Sequence, residues 1–302
     1  MNEILKRFLT AVIAGGTLVT VLVLSSWGSW VFGIVVGQLG LYEFYRMTGV
    51  KSQVGKWFML GVGVAIWLYL AFFVLFPISI QASQFALVIE TNLLVISMLL
   101  FSITAIILLF ERQVTAPALE MSTLAFGFLY AYLPMVLLFL LSLDPTQMAD
   151  SLDFKSMEMV RDQHYNFRIP LGILMIGWGM DTAAYFGGRF IGGKKLFERI
   201  SPNKTWAGAI CGAAASIAVG FWLNAMWTLA FSWIVVSVII AIFGQLGDLV
   251  ESSFKRGLQV KDSGGILPGH GGMLDRFDGV FLSVPVIYLY YLIRFVLDFG
   301  SI

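Results

Sequence analysis

Residues 226–247 read MWTLAFSWIVVSVIIAIFGQLG, and residues 248–257 continue as DLVESSFKRG. The first stretch is mainly apolar and long enough for a helix to cross a bilayer. With helical spacing, the second stretch places four polar side chains on one face, namely Asp248, Glu251, Ser252 and Lys255. This pattern predicts a membrane span that ends in a polar site. The alternative is a solvated helix end with an i,i+4 ion pair.

The whole chain has the composition of a membrane protein. Its 302 residues are 59% hydrophobic and 12% charged, and the mean hydropathy is +0.87. A helical bundle with lipid as its solvent needs this much apolar surface, whereas a soluble or disordered chain does not. The net charge of +1 gives no indication of a nucleic-acid partner. The single cysteine, Cys211, excludes an intramolecular disulfide.

Nine stretches are long and apolar enough to be membrane-spanning helices. They lie at about residues 8–25, 28–46, 57–79, 86–110, 120–142, 169–190, 205–223, 226–247 and 277–298. We therefore expect an all-α polytopic membrane protein, a bundle of about nine transmembrane helices. The N-terminal run is interpreted as a retained first span, and the seventh and eighth spans should be separated near Asn224.

Basic residues predict the orientation, because cytoplasmic loops are enriched in lysine and arginine. With nine crossings, 15 of the 19 basic residues fall on the side of the N-terminus, which is therefore expected in the cytoplasm. We expect two halves. Residues 1–165 form an N-terminal transmembrane half with an external loop from about residue 143, and residues 166–302 form a catalytic transmembrane half.

Charge and glycine are concentrated in residues 253–278, SFKRGLQVKDSGGILPGHGGMLDRFD. Glycines let the backbone turn tightly and approach a ligand closely. Mg²⁺ binds one or two carboxylates together with phosphate oxygens, and planar guanidinium groups suit phosphate. The expected metal donors are Asp248, Asp275 and Asp278. The expected phosphate-binding cations are Lys255, Arg256, Lys261 and Arg276. His270 has no second histidine at metal spacing, so we expect it to contact a polar group or phosphate.

Asp181 lies inside the sixth expected span, where an ionised group costs about 2.5–3.5 kcal/mol. Tyr185 is at i+4 and so on the same face. We interpret Asp181 as an acid that lines a polar site. The alternative is a structural contact between helices, and neighbouring glycines at 177, 179, 187 and 188 would allow close packing in either case.

Residues 201–208 read SPNKTWAG and precede the seventh span. Ser201 and Thr205 are expected to cap that helix, with Pro202 in its first turn. The exposed amides of a helix N-terminus, together with Lys204, attract anions such as phosphate. The alternative is a helix start without a ligand.

Taken together, carboxylates for a hard metal, several cations and a glycine-rich loop indicate phosphoryl or nucleotidyl transfer. The chain contains no GxxxxGK[ST] pattern, which excludes a P-loop ATPase. Because the site is surrounded by expected spans, at least one substrate should be a lipid.

The same segment resembles the signature of the phosphatidate cytidylyltransferase (CDP-diacylglycerol synthase) family. That pattern is S-x-x-K-R, four residues, K-D, then P-G-H-G-G-x-x-D-R-x-D. The matching residues here are Ser252 or Ser253, Lys255, Arg256, Lys261, Asp262, Pro268, Gly269, His270, Gly271, Gly272, Asp275, Arg276 and Asp278. The stretches DTAAYFGGR at 181–189 and SPNKTWAG at 201–208 are similar to upstream blocks of the family.

The resemblance implies a reaction of CTP with phosphatidic acid that gives CDP-diacylglycerol and pyrophosphate. It implies catalytic roles for Asp248, Lys255, Arg256, Lys261, Asp262, His270, Asp275, Arg276 and Asp278. It implies substrate-binding roles for Asp181, Tyr185, Ser201, Lys204, Thr205, Gly271 and Gly272. Mg²⁺ is the expected cofactor, with a second cation such as K⁺ also compatible. The expected location is the inner (cytoplasmic) cell membrane, with the active site facing the cytoplasm, and a homodimer is compatible with the sequence.

Three alternatives stay open on the residues alone. A polyprenol kinase or an archaeol-type cytidylyltransferase would use another lipid acceptor, although the long PGHGG signature argues against the kinase. A transporter would use Asp181 as a coupling-ion site. A non-catalytic membrane scaffold would give no reason for Asp248, Asp275 and Asp278 to occur together.

Overall fold

Helices make up most of the computed structural model, which describes residues 3–24, 27–75, 102–108, 110–111, 114–143, 166–227, 232–266 and 271–299. The long helices in this part of the chain are α1 (Glu3–Leu24), α2 (Gly28–Met47), α3 (Gln53–Leu75), α4 (Pro117–Ser142), α5 (Arg168–Phe190), α6 (Trp206–Met226), α7 (Trp233–Gly257) and α8 (Leu274–Phe299). Residues 102–108 are also helical. All long elements are therefore helices, as the apolar runs predict.

Six of these helices, α3 to α8, contain stretches that are long and apolar enough to cross a membrane. The expectation of an all-α polytopic membrane protein is confirmed. The count of nine spans and the cytoplasmic N-terminus stay predictions. Most of the fourth expected span, at 86–110, lies outside the described residues.

Two of the helices contain a π-helical turn, at Phe128–Tyr132 in α4 and at Ile240–Gly244 in α7. Such turns widen the helix locally and occur frequently at functional sites. The turn in α7 comes directly before the polar stripe, so it changes the direction in which the stripe faces relative to the apolar part of the same helix.

The joint between α6 and α7 differs from the prediction. Asn224 lies inside α6, and the helix ends where Trp227 becomes extended, with φ −127° and ψ 108°. The next helix begins only at Trp233. The sequence from 205 to 247 is almost continuously apolar and contains no proline, so hydrophobic periodicity did not locate the break.

A small antiparallel hairpin, β1 (Lys195–Phe197) and β2 (Ser201–Thr205), connects α5 to α6. The predicted helix start at Ser201 and Pro202 is therefore wrong. Both residues lie in β2, and an isolated two-stranded hairpin tolerates proline because its edges are open. The predicted cap at Thr205 is confirmed, since its Oγ1 accepts a hydrogen bond of 3.1 Å from Gly208 N.

Close packing of α5 on α6 follows from the glycines between them. A Cβ atom at Gly188 would lie 3.2 Å from Thr205 Oγ1, and one at Gly208 would lie 2.7 Å from the carbonyl oxygen of Ala184. The expected close packing is confirmed at Gly179, Gly187 and Gly188, whereas it is wrong at Gly177, which has open space where a side chain would lie. The beginning of α6 is thereby fixed against the end of α5.

The last helix packs against the first half of the chain. The ring of Phe277 in α8 lies 5.6 Å from that of Phe32 in α2, and Phe281 lies 6.0 Å from Tyr130 in α4. The division at residue 165 stays a prediction. Most of the expected external loop lies outside the described residues, but Asn166 N donates to Ser142 O at 2.8 Å, which brings α5 back to the end of α4.

Candidate active site

The crossing of α7 and α8 brings the polar stripe of α7, which begins at Asp248, close to Asp278 of the signature. At the crossing, a Cβ atom at Gly247 would collide with the carbonyl oxygen of Asp278, and one at Gly279 would lie 3.2 Å from Gly244 O. The two backbones are therefore in direct contact. The backbone of Asp278 therefore lies against Gly247, the residue before Asp248.

Lys255 lies between two carboxylates at the end of α7. Its Nζ donates to Glu251 Oε2 at 2.8 Å and to Asp275 Oδ1 at 2.6 Å. All three side chains are largely buried, with exposed fractions of 12%, 1% and 9% respectively. Because a buried ion pair loses solvation, it persists only when its geometry and hydrogen bonds are good. This ion-paired group therefore fixes α7 to the start of α8.

Asp275 also organises the glycine-rich loop. Its Oδ2 accepts from Ser263 N at 3.0 Å, from Ser263 Oγ at 2.9 Å and from Gly272 N at 2.8 Å. The preceding Gly271 has φ +78°, a conformation that side chains rarely adopt. We call Glu43, Glu251, Lys255, Ser263 and Asp275 the anchor network, since it holds both ends of the signature segment.

The anchor network includes a residue from the first half of the chain. Glu43 lies in α2, is 1% exposed, and its Oε2 accepts from Leu274 N at 3.0 Å. The sequence prediction did not include it. The available signal was an acidic residue inside the second expected span, a position that is costly without a partner.

The hairpin contributes a cation to the site. Lys204 in β2 forms an ion pair with Asp248, and Ser252 Oγ donates to the other carboxylate oxygen of Asp248 at 3.2 Å. The two ion-paired side chains are 27% and 38% exposed, so they face an accessible space. The predicted upstream block and the polar stripe of α7 are therefore brought together.

A cleft lies between α5, α7 and α8. It is lined by Ile173, Leu174, Gly177, Trp178, Met180, Asp181, Ile240, Gly244, Arg276, Asp278, Gly279, Val280 and Ser283. Asp181 interacts electrostatically with Asp248, Lys204 and Arg276. Asp181 lies in the second half of α5, and Arg276 and Asp278 lie at the beginning of α8. These polar residues therefore share one end of the cleft, and Ile173 and Leu174, which come earlier in α5, lie deeper.

Other predicted residues lie at the edge of the site or outside it. Arg256, Lys261 and Asp262 are exposed, and Ser201 is partly buried in β2. Tyr185 is 58% exposed and accepts from Arg189 Nη1 at 2.9 Å, so it lies outside the described lining of the cleft. His270 is outside the described residues.

The donor set fits Mg²⁺ in part. Within the described ranges, no group of three or more His, Cys, Asp or Glu side chains is arranged to hold a metal ion. Asp248 and Asp278 lie near the crossing of α7 and α8, and two carboxylates suffice for an ion that also takes phosphate oxygens once Lys204 releases Asp248. Asp275 has both oxygens engaged by protein groups, so its predicted metal role is not part of this arrangement and stays a prediction.

Tyr130 is a second residue of the first half that the sequence prediction missed. Its ring packs 5.5 Å from that of Phe254 in α7, and its buried hydroxyl has no hydrogen-bond partner. The sequence gives little indication that Tyr130 lies near the site, because an aromatic residue in an apolar span usually serves only to fill the core.

Comparison with known families agrees with this geometry. The Cytidylyltransferase family model matches residues 5–294, almost the whole chain. The chain belongs to the cytidylyltransferase family. The match includes α2 and α4, so family membership covers the half that supplies Glu43 as well as the half that carries the signature.

Several relatives share closer similarity over part of the chain. The phosphatidate cytidylyltransferase of Brucella suis biovar 1 (strain 1330) is 44% identical over 138 residues, 45% of this chain and 51% of that protein. The phosphatidate cytidylyltransferase of Staphylococcus haemolyticus (strain JCSC1435) is 50% identical over 121 residues, 37% of this chain and 45% of that protein. The chain spans about half the length of the curated relatives it matches.

Proposed function

We propose that this membrane protein is a phosphatidate cytidylyltransferase, which converts CTP and phosphatidic acid into CDP-diacylglycerol and pyrophosphate. The observation that carries the proposal is the cleft between α5, α7 and α8. Its polar end carries Asp181, Asp278 and Arg276, and its deeper part is apolar. The names of the similar bacterial proteins support the same reaction.

The shape of the cleft suits a lipid that ends in a phosphate. The phosphate would meet Arg276 at the polar end, and the acyl chains would lie against apolar side chains such as Ile173 and Leu174. Burial of hydrocarbon is favourable, whereas an anionic phosphate needs charged partners. Gly177 has open space where a side chain would lie, which leaves room along this wall.

The chemistry requires little covalent participation from the protein. A phosphate oxygen of phosphatidic acid forms a bond to the α-phosphorus of CTP. The bond from the α-phosphorus to the oxygen that links it to the β-phosphorus breaks, and that oxygen leaves with pyrophosphate. The main barrier is to bring anions together and to stabilise the charge that develops. Arg276 lines the cleft and Lys204 is paired with Asp248, and both cations would neutralise phosphate oxygens.

Positioning is the second contribution of the chain. The ion pairs of Lys255 hold the first turn of α8, which carries Arg276 and Asp278, against the last turns of α7. Reacting groups held in a near-attack geometry lose less entropy at the transition state. Mg²⁺, held by Asp248 and Asp278, would supply additional neutralisation of phosphate charge when bound. Asp275 as a third ligand and a second cation such as K⁺ also belong to this proposal.

The proposed site faces the cytoplasm of the inner cell membrane, where CTP is available. This orientation is supported by the bias of basic residues in the loops. The hairpin and the signature segment lie at the same end of the bundle, as an entry route for nucleotide requires. The homodimer stays a prediction.

Substrate discrimination tests the proposal. Purified protein in detergent would receive labelled CTP with phosphatidic acid in one arm and with polyprenol or an archaeol-type phosphate acceptor in another. We expect CDP-diacylglycerol to form only with phosphatidic acid. Preferred turnover of an isoprenoid acceptor would indicate a different member of the family, and CTP binding or transport without turnover would reject the enzyme assignment.

A further inference from the structure

Glu43 is a buried carboxylate that contacts the catalytic half from α2. Its Oε2 lies 3.0 Å from Leu274 N and 3.5 Å from Ser263 Oγ. The residue is 1% exposed. A carboxylate without water is unfavourable unless it accepts hydrogen bonds, so its location calls for a role that an apolar residue would not fill.

The glycine-rich loop is packed directly against this carboxylate. A Cβ atom at Gly264 would collide with the Glu43 carboxylate. A Cβ atom at Gly272 would collide with the same carboxylate and with Ser263 Oγ. The other carboxylate oxygen, Oε1, is buried without a hydrogen-bond partner. The loop therefore has glycine at 264 and 272 where the carboxylate occupies the space for a side chain.

Ser263 and Leu274, which donate hydrogen bonds to Glu43, are both linked to Asp275. Ser263 donates to Asp275 through both its backbone N–H and its hydroxyl, and Leu274 is the residue before Asp275. Asp275 in turn binds Lys255. A displacement of Glu43 would consequently move the residues that fix the relative positions of α7 and α8.

We infer that Glu43 is a positioning residue of the active site, which holds the glycine-rich loop and the first turn of α8 in the reactive arrangement. The first half of the chain thus completes the site in addition to anchoring it in the membrane. The kinetic part of this inference rests on the proposed cytidylyltransferase activity. The structural part does not, because the hydrogen bonds to Leu274 and Ser263 can be measured without turnover.

Three substitutions of Glu43 separate hydrogen bonding from charge. Glu43→Ala removes the acceptor, and Glu43→Asp shortens the side chain by one methylene group. Glu43→Gln keeps an oxygen toward Leu274 N and puts its amide where Oε1 has no partner. We expect kcat to fall on the order of tenfold to hundredfold for Ala and Asp, with a smaller change in KM for CTP, and to be largely retained for Gln.

Hydrogen exchange provides the readout that is independent of activity. Peptides that contain Ser263 and Leu274 should exchange faster in Glu43→Ala than in the unsubstituted protein, whereas peptides of α6 should not change. The matched control is Glu120→Ala, which removes a carboxylate of the first half that also accepts a backbone N–H, from Lys51 at 3.1 Å. This control should leave kcat and loop exchange unchanged.

A double-mutant cycle keeps the inference testable if Glu43→Ala is poorly expressed. Gly264→Ala should lower kcat because its methyl group displaces Glu43, and Gly264→Ala should have little further effect when Glu43 is already Ala. Additive effects, unchanged loop exchange, or an equal loss of kcat in Glu120→Ala would overturn the inference. Absence of turnover in the unsubstituted protein, with the exchange pattern as expected, would reject the proposed function and leave the positioning role intact.

Discussion

Lys255 Nζ lies 2.6 Å from Asp275 Oδ1, which joins the last turns of α7 to the first turn of α8 across 20 residues of sequence. The two ends of the glycine-rich segment between these residues are therefore held together. Asp248 lies about two turns before Lys255 on α7, and Asp278 lies about one turn after Asp275 on α8. The ion pair thus helps to fix the relative positions of Asp248 and Asp278.

Replacement of Asp275 tests this closure. Asp275→Asn removes the charge that pairs with Lys255 and weakens an acceptor of three hydrogen bonds. We expect CTP-dependent formation of CDP-diacylglycerol to fall by about a hundredfold or more, with the helical content retained by circular dichroism. Glu198→Gln, at an exposed position of the hairpin, is the control. Near-normal turnover of Asp275→Asn would remove Asp275 from the mechanism.

The hairpin can be tested through its lysines. Lys204→Ala removes the cation paired with Asp248, so we expect weaker use of substrate, measured as a lower kcat/KM for CTP or phosphatidic acid. Lys195→Ala removes an exposed lysine from the neighbouring strand and should have little effect. Unchanged kinetics of Lys204→Ala would restrict the SPNKTWAG segment to a structural role at the start of α6.

Direct backbone contact between α7 and α8 predicts a steric effect at Gly247. Gly247→Ala introduces a methyl group against the backbone of Asp278, so we expect loss of thermal stability in detergent together with loss of activity. Gly257 lies on the same helix with no atom near the position of its Cβ, and Gly257→Ala should be tolerated. Equal tolerance of both substitutions would contradict the close crossing.

The apolar part of the cleft predicts an effect on the lipid substrate. Gly177→Phe would fill open space along the wall of the cleft, so we expect KM for phosphatidic acid to rise several-fold more than KM for CTP. Gly61→Phe, on α3, also meets open space and serves as the control. A uniform loss with both substrates, or no change, would place the lipid elsewhere.

Local sequence rules predicted the parts of the site that lie within one element. The spacing of Asp248, Glu251, Ser252 and Lys255 predicted one polar helix face, and Lys255 does bind Glu251 at i−4. Thr205 was predicted as a helix cap and is one. In these cases the interacting groups are three or four residues apart, so helical geometry determines the contact.

Contacts between distant segments were not predictable in the same way. The hydrogen bond from Leu274 N to Glu43 joins residues separated by 231 positions, and nothing local to either indicates the partner. The hairpin at 195–205 was missed because Ser and Pro also begin helices. The start of α7 was predicted at residue 226, whereas the helix begins at Trp233. The prediction failed because an apolar run of this length contains no periodic signal for a turn.

The most direct measurement is turnover of labelled CTP and phosphatidic acid by the purified protein in lipid nanodiscs, with Mg²⁺ and after its removal by chelation. We predict that CDP-diacylglycerol and pyrophosphate form in equal amounts with Mg²⁺, and that chelation stops both until Mg²⁺ is restored. Absence of CDP-diacylglycerol from a folded preparation with Mg²⁺ present would contradict the proposed function.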